Sequence, residues 1–163
     1  MAVREIGSSP IVFGQATELY ESLAAEFRSQ GVNHGEDADS MIVIVDHELI
    51  DSIVADGHFR RARRQERASG NHICDLVTDT AISTGAQRLL VVCDMRHVRD
   101  GKQVRVVDWV RDLAHRISYE CSVNGLQDLT TSIAVVRSDA EADRAARAVV
   151  DWYKGIRPAG GWF

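Results

Sequence analysis

The chain has 163 residues, 45% of them hydrophobic, and a formal net charge of −5 at pH 7. This length fits one domain, and the acidic balance argues against a general nucleic-acid-binding domain, which is usually basic. No apolar run reaches the ~18 residues of a membrane span, and the N-terminal residues lack the long apolar segment of a secretory signal.

The cysteines indicate a reducing environment. Cys74, Cys93 and Cys121 are odd in number and widely spaced, which favours neither a disulfide framework nor a zinc knuckle. We therefore expect a cytoplasmic protein. Cys93 continues an apolar run, so it is expected to pack in the core as a small hydrophobic side chain.

The elements can be predicted in chain order. PIVF (10–13) is a weak strand, and a helix follows it, with apolar residues at helical spacing as far as Phe27 and a stop at Gly31. The run MIVIV (41–45) is a buried strand. A helix begins near Leu49, and Gly57 breaks or weakens it before an arginine-rich run.

The second half of the chain repeats this alternation. Asn71 is expected to cap a further helix that ends at Gly85, and LLVVC (89–93) is a strand. The stripe from Val106 to Ile117 predicts a helix, although VRVV (104–107) could instead be a strand. SIAVV (132–136) is a strand, and Ser138 caps the last helix, which has acidic residues in its first turn.

Strands that alternate with amphipathic helices predict a three-layer α/β/α sandwich. We expect a mainly parallel sheet of about four to five strands, Rossmann-like or flavodoxin-like, with right-handed crossovers and an order that the sequence does not give. The domain spans 1–156. The tail, 157–163, ends in Trp162 and Phe163, which either fold back on the domain or dock on a partner subunit.

Ligands of open parallel sheets usually bind beyond the carboxyl ends of the strands. Asp46 and Asp94 each follow a strand there, and two carboxylates could hold Mg²⁺, although they could equally cap helices. His47 follows Asp46 directly, and His97 lies three residues after Asp94. Both are candidate acids or bases near neutral pH, or ordinary surface histidines. No metal ligand set is predicted.

Four further residues at this edge are candidate ligand contacts. Gly14 would let the backbone approach a ligand at a helix N-terminus, and Ser138 lies at the corresponding position after the last strand. Arg96 and Arg137 would suit a phosphate or carboxylate, or would form salt bridges. The chain contains no dinucleotide-binding fingerprint, P-loop, nucleophile elbow or HExxH motif.

The arginine-rich run contains Arg60, Arg61, Arg63, Arg64 and Arg67. Residues 58–69 hold five Arg and one Glu, a net +4, so the rest of the chain carries −9 (−5 minus +4). Like charges at helical spacing repel, so an acidic counterpart is expected. It could be a bound phosphate, the acids of a second subunit, or local acids such as Asp51, Asp56 and Glu66.

Three functions remain open at this point. The first is a small-ligand domain that binds an anionic, phosphorylated or nucleotide-like compound at the sheet edge, either for binding alone or as a hydrolase or transferase. The second is a non-catalytic subunit of a homo- or hetero-oligomer that assembles through the arginine-rich helix and the aromatic tail. The third, and least favoured, is binding of a nucleic-acid backbone.

Overall fold

The computed structural model describes residues 2–5, 10–15, 17–32, 39–54 and 59–156. They form strands β1 (Ala2–Glu5), β2 (Ile11–Gly14), β3 (Ser40–Val45), β4 (Arg88–Asp94) and β5 (Thr130–Val136). The helices are α1 (Glu18–Ser29), α2 (His47–Val54), α3 (Phe59–Thr84), α4 (Asp100–Val123) and α5 (Asp139–Tyr153). The aromatic tail lies outside the described residues.

The strands form one sheet with the order β1-β2-β3-β4-β5. β2 to β5 run parallel, and β1 pairs antiparallel with β2 at the edge. The α/β sandwich is therefore confirmed. The Rossmann sheet has the order 3-2-1-4-5-6 and the flavodoxin sheet 2-1-3-4-5, so neither finer type is confirmed.

Each face of the sheet carries its own apolar core. One core joins α2, α3 and α4 to residues such as Val43, Val91 and Cys93. The other joins α1 and α5 to residues such as Ile44 and Val92. Successive residues of a strand point to opposite faces, which explains why the apolar runs of β3 and β4 do not alternate with polar residues: both of their faces are covered.

The expectation of uniformly right-handed crossovers is wrong. The strands β2 to β5 are parallel and lie side by side in chain order. The connection through α1 lies on one face, whereas those through α2–α3 and through α4 lie on the other. Because all three connections step in the same direction along the sheet, the first has the opposite hand to the other two.

One predicted boundary is wrong, and the structure decides an alternative that the sequence left open. Asn71 does not cap a helix, because α3 continues without interruption from Phe59 to Thr84. Its side chain instead accepts a hydrogen bond from Arg116 Nη2 on α4, at 2.8 Å. The stretch VRVV is helical rather than extended, since α4 begins at Asp100. Packing against the sheet and between these helices overrides the local signals.

The ends of α1 and α5 follow the predicted chemistry. The Ser138 hydroxyl caps α5 by accepting a hydrogen bond from the Glu141 amide at 3.3 Å. Gly31 follows α1 with a φ of 56°, the left-handed conformation that glycine adopts readily. None of the helices within the described ranges is long and apolar enough to cross a membrane.

Candidate functional site

The parallel strands bring all the predicted edge residues to one side of the sheet. Gly14 ends β2, Asp46 follows β3, Asp94 ends β4 and Arg137 follows β5. The helices that follow leave towards different faces: α1 and α5 towards one, α2 and α4 towards the other. The helices that follow β2 and β3 therefore leave towards opposite faces of the sheet, and so do the helices that follow β4 and β5. Such switch points form the crevices in which α/β proteins bind ligands.

An arginine occupies the crevice between β4 and β5. Arg96 donates from Nε to Asp94 Oδ1 at 2.9 Å and from Nη2 to Asp94 Oδ2 at 2.8 Å. Its Nη1 reaches Asp139 Oδ1 at 2.9 Å and Glu18 Oε2 at 3.5 Å. Those two acids lie in the first turns of α5 and α1, so Arg96 ties the end of β4 to both helices.

This pairing is largely withdrawn from solvent. The side chains of Arg96 and Asp94 are only 6% and 4% exposed. Hydrogen bonding to Asp94 raises the pKa of Arg96 above its ordinary value, against the opposing effect of burial. Both Asp94 oxygens and the Arg96 guanidinium are thus engaged within the protein, and a ligand would have to compete for them.

The crevice between β2 and β3 holds a cavity of ≈ 290 Å³. Its lining comes from the ends of β2 and β3, the first turn of α2 and the middle of α3, and comprises Gly14, Gln15, Ile44, Asp46, Glu48, Leu49, Ser69, His72 and Ile73. This volume lies near the lower limit of ligand pockets, about 300 Å³. The lining combines apolar side chains with a few polar groups, which is typical of small-molecule sites.

Asp46 is the buried charged group of this cavity. It is 2% exposed, and its Oδ1 accepts the Leu49 amide at 2.9 Å, which caps α2. Within the described residues its carboxylate makes no other hydrogen bond and no ion pair. A buried carboxylate is costly unless its oxygens find donors. Asp46 can therefore accept a hydrogen bond from a ligand that enters the cavity.

The two predicted histidines meet at the sheet edge. The rings of His47 and His97 lie edge to face, with centroids 5.9 Å apart, and both side chains are exposed. They follow neighbouring strands, β3 and β4. Among the residues that the structure describes, no group of three or more His, Cys, Asp or Glu is placed to hold a metal ion.

The remaining edge residues have different surroundings. Gly14 lies in the cavity wall, where an added Cβ would stand 3.1 Å from the Cβ of Ile44. Ser138 uses its hydroxyl to cap α5. Arg137 is exposed, and its amide donates to Glu141 Oε2 at 2.7 Å. Neither Arg137 nor Ser138 lines the cavity between β2 and β3.

Cys93 is a core residue, as predicted. It is fully buried, and burial, assisted by the nearby Asp94, raises its pKa to about 12. The nucleophile of cysteine chemistry is the thiolate, so this thiol is poorly suited to catalysis at neutral pH. Cys74 and Cys121 are buried free thiols as well.

The arginine-rich run is helical, as predicted, because it opens α3. The side chains of Arg60, Arg61 and Arg63 lie outside the described part of the structure. Arg64 and Arg67 are exposed, and neither forms an ion pair with a described acid. Glu66, the acid within the run, instead accepts from Arg105 Nη2 on α4 at 2.8 Å.

The cavity also contains residues that the sequence reasoning did not select as site residues. Glu48, Ser69 and His72 line it, the last two from the middle of α3. The spacing of residues along α3 does not indicate that Ser69 and His72 line a site. Their side chains reach the sheet edge only because α3 packs beside β2 and α2. Comparison with known proteins gives no match to any protein family, curated protein or solved structure.

Proposed function

We propose that this protein is a small-ligand-binding domain whose site is the cavity between the carboxyl ends of β2 and β3. The observation that carries the proposal is Asp46, a carboxylate 2% exposed in the cavity wall. One of its oxygens caps α2. Within the described part of the chain, its carboxylate accepts no other hydrogen bond. A ligand that supplies a donor would offset the cost of burying it.

The lining favours a particular ligand chemistry. Asp46 and Glu48 are both acidic, so the cavity favours hydroxyl, amino or imidazole N–H groups over a phosphate near these side chains. The predicted phosphorylated or nucleotide-like compound fits this cavity if its sugar or base faces Asp46 and its phosphate remains outside. Hydrolysis or group transfer would additionally need a base, a role for which Asp46 and His72 are the candidates.

The decisive variant is Asp46→Asn. Asparagine is an equally good helix cap, so the fold should be retained while the negative charge is lost. Hydrogen bonds to charged groups contribute about 1.5–3 kcal/mol, so affinity should fall roughly 10- to 150-fold. Asp75→Asn, on the exposed side of α3, removes the same charge elsewhere and should leave affinity unchanged.

The measurement is thermal unfolding against nucleosides, nucleotides, free sugars, phospho-sugars and Mg²⁺, followed by calorimetric titration of each hit. A ligand at 100 times its Kd should stabilise the wild type by about 2.7 kcal/mol. The proposal fails if nothing in the panel stabilises the protein. It also fails if Asp46→Asn binds the hit as tightly as the wild type does.

Assembly is the second candidate, favoured by an exposed apolar pair on α4. Tyr119 and Val123 are 66% and 58% exposed, and residues four apart lie on one face of a helix. If this face joins subunits, light scattering should show a mass above the 18.0 kDa monomer. Tyr119→Ser with Val123→Ser should then yield monomers, whereas Val104→Ser, nearer the other end of α4, should not. A wild-type monomer at high micromolar concentration would exclude self-assembly.

A further inference from the structure

A second cavity, separate from the Asp46 site, lies between α3 and α4. Its volume is ≈ 280 Å³, and Arg67 and Gly70 of α3 face Trp109, Asp112 and Arg116 of α4 across it. Gly70 presents backbone, without a side chain, to the cavity. A Cβ added there would stand 3.6 Å from both Trp109 Cζ2 and Arg116 Nη1, so the indole and the guanidinium lie directly over the glycine.

Among the described residues, no acidic side chain pairs with the cations of this cavity. Arg67 forms no ion pair with a described residue, and Arg116 donates to a neutral amide oxygen, Asn71 Oδ1, at 2.8 Å. Glu66, although it borders the cavity, is bound to Arg105 Nη2 at 2.8 Å. With that pair neutral, Arg67 and Arg116 contribute +2 against −1 from Asp112, which leaves a net +1.

Arg64 adds positive charge on the same side of α3 as Arg67. It is exposed, precedes Arg67 by three residues and therefore lies on the same side of α3. Two like charges at this spacing repel each other, and a bound anion would relieve that repulsion. No acid among the described residues meets the predicted requirement for an acidic counterpart of Arg64 and Arg67.

We propose that this cavity binds a phosphate monoester that carries a flat ring, such as a nucleoside monophosphate. The forked guanidinium groups of Arg67 and Arg116 suit the phosphate oxygens, and the Trp109 indole offers an aromatic surface for the ring. The cavity volume of ≈ 280 Å³ lies near the lower limit of ligand pockets, about 300 Å³, which favours a small ligand. The proposal does not depend on the Asp46 site.

Calorimetric titration of the full chain with adenosine monophosphate, inorganic phosphate and adenosine tests this directly. The monophosphate should bind more tightly than either of its parts. Arg67→Gln and Arg116→Gln should each weaken it about tenfold or more. Arg111→Gln, an exposed arginine of α4 outside the cavity lining, is the matched control and should bind like the wild type.

A second pair of variants tests the geometry of the cavity. A Cβ at Gly70 already stands 3.6 Å from Trp109 Cζ2, so Gly70→Leu should push the indole aside and abolish binding of the monophosphate. Gly101→Ala, where nothing lies within 4 Å of the added Cβ, should leave binding unchanged. Absence of saturable binding, or full affinity in Arg67→Gln, would overturn the proposal. So would an oligonucleotide that binds more tightly than the monophosphate, with steep salt dependence and no response to Gly70→Leu, since that points to a nucleic-acid backbone on the arginine-rich surface.

Discussion

Arg96→Met should lower the free energy of unfolding by about 3–5 kcal/mol, because it leaves the buried Asp94 carboxylate without its cation. Asp94 is 3% exposed, and each of its oxygens accepts a hydrogen bond from the arginine side chain. Urea unfolding monitored by circular dichroism gives the value, provided that the slope of the transition is unchanged.

The outer partners of Arg96 provide the control. Asp139 and Glu18 bind the same guanidinium, but their side chains are 89% and 81% exposed. Solvent screens such pairs, so Asp139→Asn and Glu18→Gln should each cost at most about 1 kcal/mol. Removing both buried partners, as in Asp94→Leu with Arg96→Met, should restore much of the lost stability. A small effect of Arg96→Met alone would mean that water reaches Asp94.

Gly14→Val should destabilise the fold by about 1–3 kcal/mol, the usual range for overpacking, and should also impair ligand binding beside Asp46. The Cβ that any larger residue adds at this position stands 3.1 Å from the Ile44 Cβ. That atom is fixed by the backbone of the neighbouring strand β3, so it cannot turn away as the end of a flexible side chain would. The strands must therefore shift, and the cavity wall with them.

Gly101→Ala is the matched control for this substitution. Nothing lies within 4 Å of a Cβ added at Gly101 in α4, so alanine there should be neutral or stabilising by about 0.5–1 kcal/mol. Unfolding measurements and ligand titration on both variants separate the two effects. If Gly14→Val is as stable as the wild type and binds ligand normally, Gly14 does not form part of a tightly packed site wall.

Local sequence predicted the elements best where burial on both faces left a continuous apolar run. MIVIV and LLVVC fall within β3 and β4, because a parallel strand that is covered on both faces tolerates few polar residues on either side. SIAVV falls within β5, an edge strand whose Ile133 and Val135 are only half-buried, yet its apolar run predicted the strand equally well. The last helix was equally predictable, since the Ser138 cap and the acidic first turn act within a few residues of each other.

Local signals failed where partners distant in the chain decide the structure. Asn71 was predicted to cap a helix, yet it lies within α3 beside Gly70, where Trp109 and Arg116 of α4 cover the glycine and Arg116 binds the asparagine. The short strand β1 went unpredicted, and its ladder with β2 supplies the hydrogen bonds that define it.

The candidate site, too, was predictable from the sequence only in part. The sequence by itself determined that Asp46, His47, Asp94 and His97 would gather at one edge, because parallel strands end on the same side of a sheet. Tertiary structure alone decided that Arg96 would occupy one crevice and bind Asp94 while the crevice beside Asp46 stayed open. That outcome depends on which face each connecting helix covers, and this is set by the packing of whole helices rather than by the spacing of residues along the chain.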